Sequence, residues 1–318
     1  MLNKKSALLT ASLLAGLGAA FFRIFIINRY FVTGENRFAA GAVGWNNAVI
    51  VGLLVLAALF AVISFRIKEN GPAVFPESKG IKASMLVMTG FIALSYPLAL
   101  VCFGKAALSP SDNTMLALPV LGEIAVYLPL TALIPSVIFF AACLAKSDRS
   151  SASFKVLSVF PAVWSALYVL HSYFDLSYAF RDANRLLCDI AFLAVALRFL
   201  MESRYYVRYP APRAFLALSC AAVMTGTAYA LPSVVMTIAG VIPFTTSFCY
   251  EIALPAILVY LFLGSAKWAR EENADELPKG EKKPDGDADA SETDPGEAQE
   301  TEKPAETPAE NTSDTNDN

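Results

Sequence analysis

A chain of 318 residues that is 56% hydrophobic and only 17% charged, with a mean hydropathy of +0.50, is too apolar for an ordinary water-soluble domain, in which about a quarter of the residues are charged. Its formal net charge of −3 is a cancellation, because positions 271–318 hold 17 acidic and 4 basic side chains and leave 21 basic and 11 acidic in positions 1–270. The composition therefore excludes one uniform soluble domain and separates a basic, apolar body from an acidic tail. The expected fold is all-α: a polytopic transmembrane bundle of about eight helices over 1–270, then a disordered acidic tail over 271–318.

The first predicted span runs from Ser6 to about Asn28, behind Lys4 and Lys5. A charged start and a small trio, Gly18-Ala19-Ala20, would also suit a secretory leader, but the apolar run resumes past Arg23, which fits a retained anchor. Along it Ser12, Gly16 and Ala20 recur every four residues, a stripe that lets another helix approach closely. The second span, Ala48–Phe65, carries no charge. The third, Ala83–Gly104, contains Pro97, and the fourth, about Leu118–Ala145, contains Pro119, Pro129 and Pro135 and is expected to kink. The fifth is Val156–Tyr173 and the sixth Leu186–Glu202. Positions 214–250 lack any charge, enough for a seventh span and a turn near Pro232 to Pro243. The eighth runs from about Ser247 to Ala266, with Trp268 expected in the interfacial aromatic belt. Beyond Arg270 only Leu277 is aliphatic and larger than Ala, so the tail cannot bury enough apolar surface to order itself.

Lys and Arg accumulate in cytoplasmic loops. With eight spans and the N-terminus inside, fourteen fall on the cytoplasmic side against six on the other, where Arg23, Arg29 and Arg37 crowd the first loop. The expectation is a cell-membrane protein with both termini cytoplasmic. Basic loops are accounted for as topogenic charge, without a nucleic-acid partner. The five cysteines are widely spaced in apolar runs and His171 is the single histidine, which removes the usual zinc spacings and a disulfide framework. They read as packed thiols.

In the fifth span Trp164, Tyr168, His171 and Asp175 are spaced so that, at about 100° per residue, they fall within roughly 60° of one another. The sixth span returns with Arg185 and Asp189 at i, i+4 near the same surface. Arg198 and Glu202, nearer the cytoplasm, look like an interfacial pair that snorkels to the headgroups. Under this topology Glu123, His171, Asp175, Asp182, Asp189 and Glu251 share the extracytoplasmic third of the membrane with Lys105, Arg181 and Arg185. An ionised group near the bilayer centre costs about 2.5–3.5 kcal/mol on insertion scales, so a shared, partly hydrated pocket is the sharp reading. In it Glu123, His171, Asp189 and Glu251 bind ligand or carry protons and Trp164 and Tyr168 wall the site. Arg185 partners Asp189, and Lys105 or His171 partners Glu123 or Glu251. The plainer reading leaves Asp175, Asp182 and the loop arginines in water and makes Trp164, Tyr168 and His171 interior packing. Gly122-Glu123-Ile124-Ala125 and Tyr250-Glu251-Ile252-Ala253, each followed by a proline, hint at a four-plus-four repeat.

No P-loop, G-x-G-x-x-G, H-E-x-x-H or Ser/His/Asp spacing frames a catalytic or cofactor site, and no metal is implied. The residues lean away from an enzyme. Two classes of function stand: a small-molecule or ion transporter or sensor with its pocket near the extracytoplasmic face, or a non-catalytic membrane scaffold whose polar residues lock helices and whose acidic tail binds a basic cytosolic protein. The bilayer itself is a partner in both, and a small polar solute or ion in the first.

Overall fold

The structure, a computed structural model, describes residues 3–32, 37–67, 72, 74–103, 119–145, 151–174 and 183–271. The chain divides into two units, 1–277 and 278–318, and the described residues belong to the first. They form α1 (Lys4–Tyr30), a two-stranded ladder of β1 (Phe31–Val32) and β2 (Arg37–Phe38), then α2 (Ala40–Arg66), α3 (Lys79–Phe103), α4 (Pro119–Leu144), α5 (Ala152–Leu157), α6 (Phe160–Phe174), α7 (Ala183–Tyr206), α8 (Pro212–Ile238), α9 (Thr246–Glu251) and α10 (Ala253–Glu271).

Prolines explain two of the breaks. A proline in a helix lacks the N–H that would bond the carbonyl four residues back, and its ring crowds that carbonyl. Pro161 acts on Leu157, where α5 ends, and Pro255 acts on Glu251, where α9 ends. The pairs α5/α6 and α9/α10 are thus two interrupted rods, and the described chain makes eight rods in all. Seven are long and apolar enough to cross a membrane. The eighth, α7, has 24 residues, about 36 Å at 1.5 Å each, which exceeds a hydrocarbon core of ~30 Å. Its charges alone set it apart, and Arg185, Arg198 and Glu202 are all buried against protein.

Neighbouring rods close a ring in the order α3, α4, α6, α7, α8, α10, with α1 and α2 laid against α8 from outside. α8 is the most enclosed, with 78% of its apolar window buried, whereas α2 has 17%. Leu54, Leu59, Val62 and Phe65 of α2 are exposed, and an apolar face of that extent belongs in lipid. The fold is that of a multi-pass membrane protein.

The small-residue stripe of α1 faces α8. Ser12, Gly16 and Ala20 are buried, and a Cβ on Gly16 would stand 2.7 Å from the Met224 carbonyl oxygen. Backbone meets backbone there, which only glycine permits. At the start of α1, Asn3 Nδ2 donates to the Ala269 carbonyl at 2.6 Å, so α1 begins at the face where α10 ends. We call this the terminal face and its counterpart the opposite face.

Three expectations are corrected and one is located. The turn expected near Pro232 to Pro243 lies after Ile238, where Gly240 has φ +72°, and α8 continues through Pro232. Trp268 is not in an interfacial belt: it is 1% exposed, packed on Phe215 at 4.9 Å between ring centroids, with Lys5 Nζ over its ring. Arg23 is fully buried and not a loop residue. Of the cysteines, Cys102 is exposed while the other four are buried.

Candidate functional site

Near the opposite face, Glu251 ends α9 at the proline break, which turns its carboxylate inward. It is 5% exposed. Tyr229 Oη of α8 donates to Oε2 at 2.6 Å and Ser233 Oγ, one turn on, reaches the same oxygen at 3.3 Å. Tyr168 Oη of α6 reaches Oε1 at 3.2 Å, and the Cys188 thiol of α7 lies 3.7 Å from it. Three rods besides its own therefore supply hydrogen-bonding groups to one carboxylate, as burial of a charge-bearing group requires.

A second carboxylate lies beside it. Ser172 Oγ of α6 donates to Asp189 Oδ1 of α7. Arg185, one turn earlier on α7, acts electrostatically on Asp189 and is 6% exposed. Between these groups is a cavity of about 10 Å³ lined by Tyr168, Ser172, Asn184, Arg185, Cys188, Tyr229, Ser247 and Glu251. That is room for about one water molecule. Asn184 also links the cavity to Arg23, whose Nη2 donates to Asn184 Oδ1 at 2.5 Å while Nε donates to Asn46 Oδ1 at 3.0 Å. Its third contact, Nη1 to the Ala228 carbonyl at 2.9 Å, meets the carbonyl that Pro232 leaves without a helical donor.

Of the residues the sequence singled out, Tyr168, Arg185 and Glu251 line this cavity, and Asp189 adjoins it through Ser172. His171 is 8% exposed and packs on Tyr250 and Tyr168 at 5.4 and 6.1 Å between ring centroids. Trp164 is 1% exposed and packs on Phe192 at 6.3 Å; it is not among the residues that line the cavity. Glu123 falls near the start of α4, but its side chain lies outside the described residues, as do Lys105, Asp175, Arg181 and Asp182. The sequence reading missed Tyr229, Ser233, Ser172, Cys188, Asn184 and Arg23. Tyr229 and Ser233 carried a signal, an i, i+4 polar pair inside a charge-free span, and charge was the feature given weight.

A separate network occupies the bundle nearer the terminal face. Arg198 donates from Nε to Ser219 Oγ at 2.7 Å, from Nη1 to Glu202 Oε2 at 3.0 Å and from Nη2 to Ser265 Oγ at 3.3 Å. Tyr260 Oη donates to Glu202 Oε1, and the guanidinium lies 3.7 Å over the Phe215 ring. Arg198 and Glu202 are 0% and 2% exposed. The expected snorkelling pair is therefore corrected: α8 and α10 bring hydroxyls to it, so it has no need to reach the headgroups. Asp189 and Arg198 are nine residues apart, roughly 14 Å along α7, and Ala191, Phe192 and Val195 between them are apolar and fully buried.

No family model matches the chain, and neither a curated protein nor a solved structure is similar to it.

Proposed function

We propose that this protein handles protons across or at the membrane, as an ion transporter or sensor in which Glu251 takes up and releases a proton at a site reached from the extracytoplasmic face. The observation that carries the reading is the kind of partner Glu251 has. Tyr229, Tyr168 and Ser233 present hydroxyls, which donate to a carboxylate and accept from a carboxylic acid with a small rotation. Both protonation states are thereby satisfied. Glu202 differs, because Arg198, 3.0 Å away, can only donate and so satisfies the carboxylate but not the acid. A one-water cavity suits a proton or hydronium and leaves no space for an organic solute.

The orientation, with both termini cytoplasmic, rests on the loop charges. Setting aside the buried Arg23 and Arg185 on one side and Lys5 on the other strengthens it, leaving thirteen cations against four. The full chain reconstituted in liposomes around a pH-sensitive dye, under an imposed pH gradient, tests the proposal. Proton flux supports a transporter. A pH-dependent change in tyrosine fluorescence without flux supports a sensor. Glu251→Gln removes either response while yield and thermal midpoint stay near wild type.

The tight enclosure of both networks favours one second reading, a scaffold whose polar residues lock helices and whose acidic tail engages a basic cytosolic protein. An unchanged pH response in Glu251→Gln, with less folded protein, would select it.

A further inference from the structure

Away from the Glu251 site, the outer seam where α1 crosses α8 and α10 holds a groove of about 350 Å³. Leu13 and Leu17 of α1 and Leu258, Val259, Phe262 and Leu263 of α10 line it, and Thr227 is its one polar side chain. Toward the terminal face it runs into a second pocket of about 250 Å³, the two sharing Phe262 and Leu263. This mouth is mixed, with Ser6, Thr10, Ser78, Lys267 and Arg270 beside Leu9, Ile81 and Ala266.

The two helices run antiparallel, yet both change from polar to apolar in the same direction along the seam: Ser6 and Thr10 to Leu13 and Leu17 on α1, Arg270 and Lys267 to Phe262 and Val259 on α10. That shared gradient has the form of one amphipathic ligand. Pro255, the deepest α10 residue of the groove, lies twelve residues from Lys267, about 18 Å of helix and close to the ~15 Å depth of one leaflet. A basic mouth between helices at a membrane surface is complementary to a phosphate headgroup. We infer that this seam binds an anionic phospholipid of the leaflet at the terminal face, one acyl chain in the groove and the phosphate between Lys267 and Arg270.

Lys267 already touches Glu271 at 3.1 Å, but both side chains are a third or more exposed, and such a pair holds weakly against a second anion. Among the described residues Arg270 has no carboxylate within ion-pair distance. The inference does not depend on the proton-handling proposal, since it uses the outer surface and none of the residues around Glu251.

The test uses the full chain in mild detergent, offered phosphatidylglycerol, phosphatidylcholine with the same acyl chains, or inorganic phosphate alone. Retention is followed by native mass spectrometry and stability by thermal unfolding. Phosphatidylglycerol is expected to be retained about tenfold over phosphatidylcholine, from two cations each worth about a fivefold effect and one of them shared with Glu271, and to raise the unfolding midpoint. Inorganic phosphate should do neither. Lys267→Gln with Arg270→Gln should erase the preference and leave the lipid-free midpoint unchanged. Arg66→Gln with Lys155→Gln, basic residues of the same face outside the pocket, should keep it. Val259→Trp should reduce retention by filling the groove. Equal retention of the two lipids, stabilisation by phosphate alone, or a preference that survives loss of Lys267 and Arg270 would overturn the inference; the wild-type comparisons decide it even where a variant fails to fold.

Discussion

Two buried glutamates, Glu202 and Glu251, differ in what surrounds them, and the difference sets what each can do. Glu202 is tied to a guanidinium that also spans Ser219 and Ser265 and lies on Phe215. Removing one member of such a pair strands the other charge, at a cost of about 3–5 kcal/mol, while replacing both with apolar side chains of similar size is close to neutral. Arg198→Met alone should therefore destabilise the protein by that amount in denaturant titrations in mixed micelles, and Arg198→Met with Glu202→Leu should recover most of it. Recovery absent in the double variant would mean that the network does more than hold helices together. Of these side chains, the sequence exposed the i, i+4 pair but not its depth. Whether Arg198 faces lipid or protein depends on how α7 is rotated, and that is decided by Ser219, Ser265 and Tyr260, 21 or more residues away in the chain. Hydropathy carries no information about them.

Among the elements α8 has the central position, and its two most telling contacts are with α1. Gly16 touches the α8 backbone, and the stripe that predicted a close approach was legible because small residues at every fourth position mark one face whatever the partner. Gly16→Val should push the helices apart, since a Met224 carbonyl cannot rotate away as a side chain can. The expected result is a lower thermal midpoint and loss of α1–α8 disulfide trapping between engineered cysteines. The second contact was not legible. The turn was expected anywhere from Pro232 to Pro243, and the helix passes through Pro232 while Arg23, 209 residues earlier, donates to the freed Ala228 carbonyl. Arg23→Met should cost about 1–3 kcal/mol for each acceptor left short of a donor. Pro232→Ala, which restores a helical N–H to Ala228, should regain about 1 kcal/mol of that loss and change the wild type much less. A double-mutant cycle by thermal unfolding measures the coupling directly. No coupling between the two positions would show that the proline is accommodated by other means.

At the scale of the whole molecule, the number of crossings fixes where the ends lie. Spans could be counted from sequence because hydropathy is a local property, and α7 was counted despite its charges because its apolar stretches are long enough. If its charges are held to exclude it, seven spans remain, which would put the two ends on opposite sides. The packing favours eight: α7 lies between α6 and α8 and buries Arg185, Arg198 and Glu202, and Asn3 bonds the end of α10. On this reading, eight crossings would return the chain to its starting side. A protease site placed before Asn3 and another after Glu271 should accordingly be cut together, both in inverted vesicles and neither in right-side-out ones. Removing the α7 charges that the bundle satisfies should not alter this, because length and apolar neighbours, not charge, hold α7 across the membrane. One site cut from each side would mean that α7 does not cross. Tyr168, Asp189 and Glu251 could then no longer meet at one depth, and the proton-binding reading would lose its geometry along with the topology.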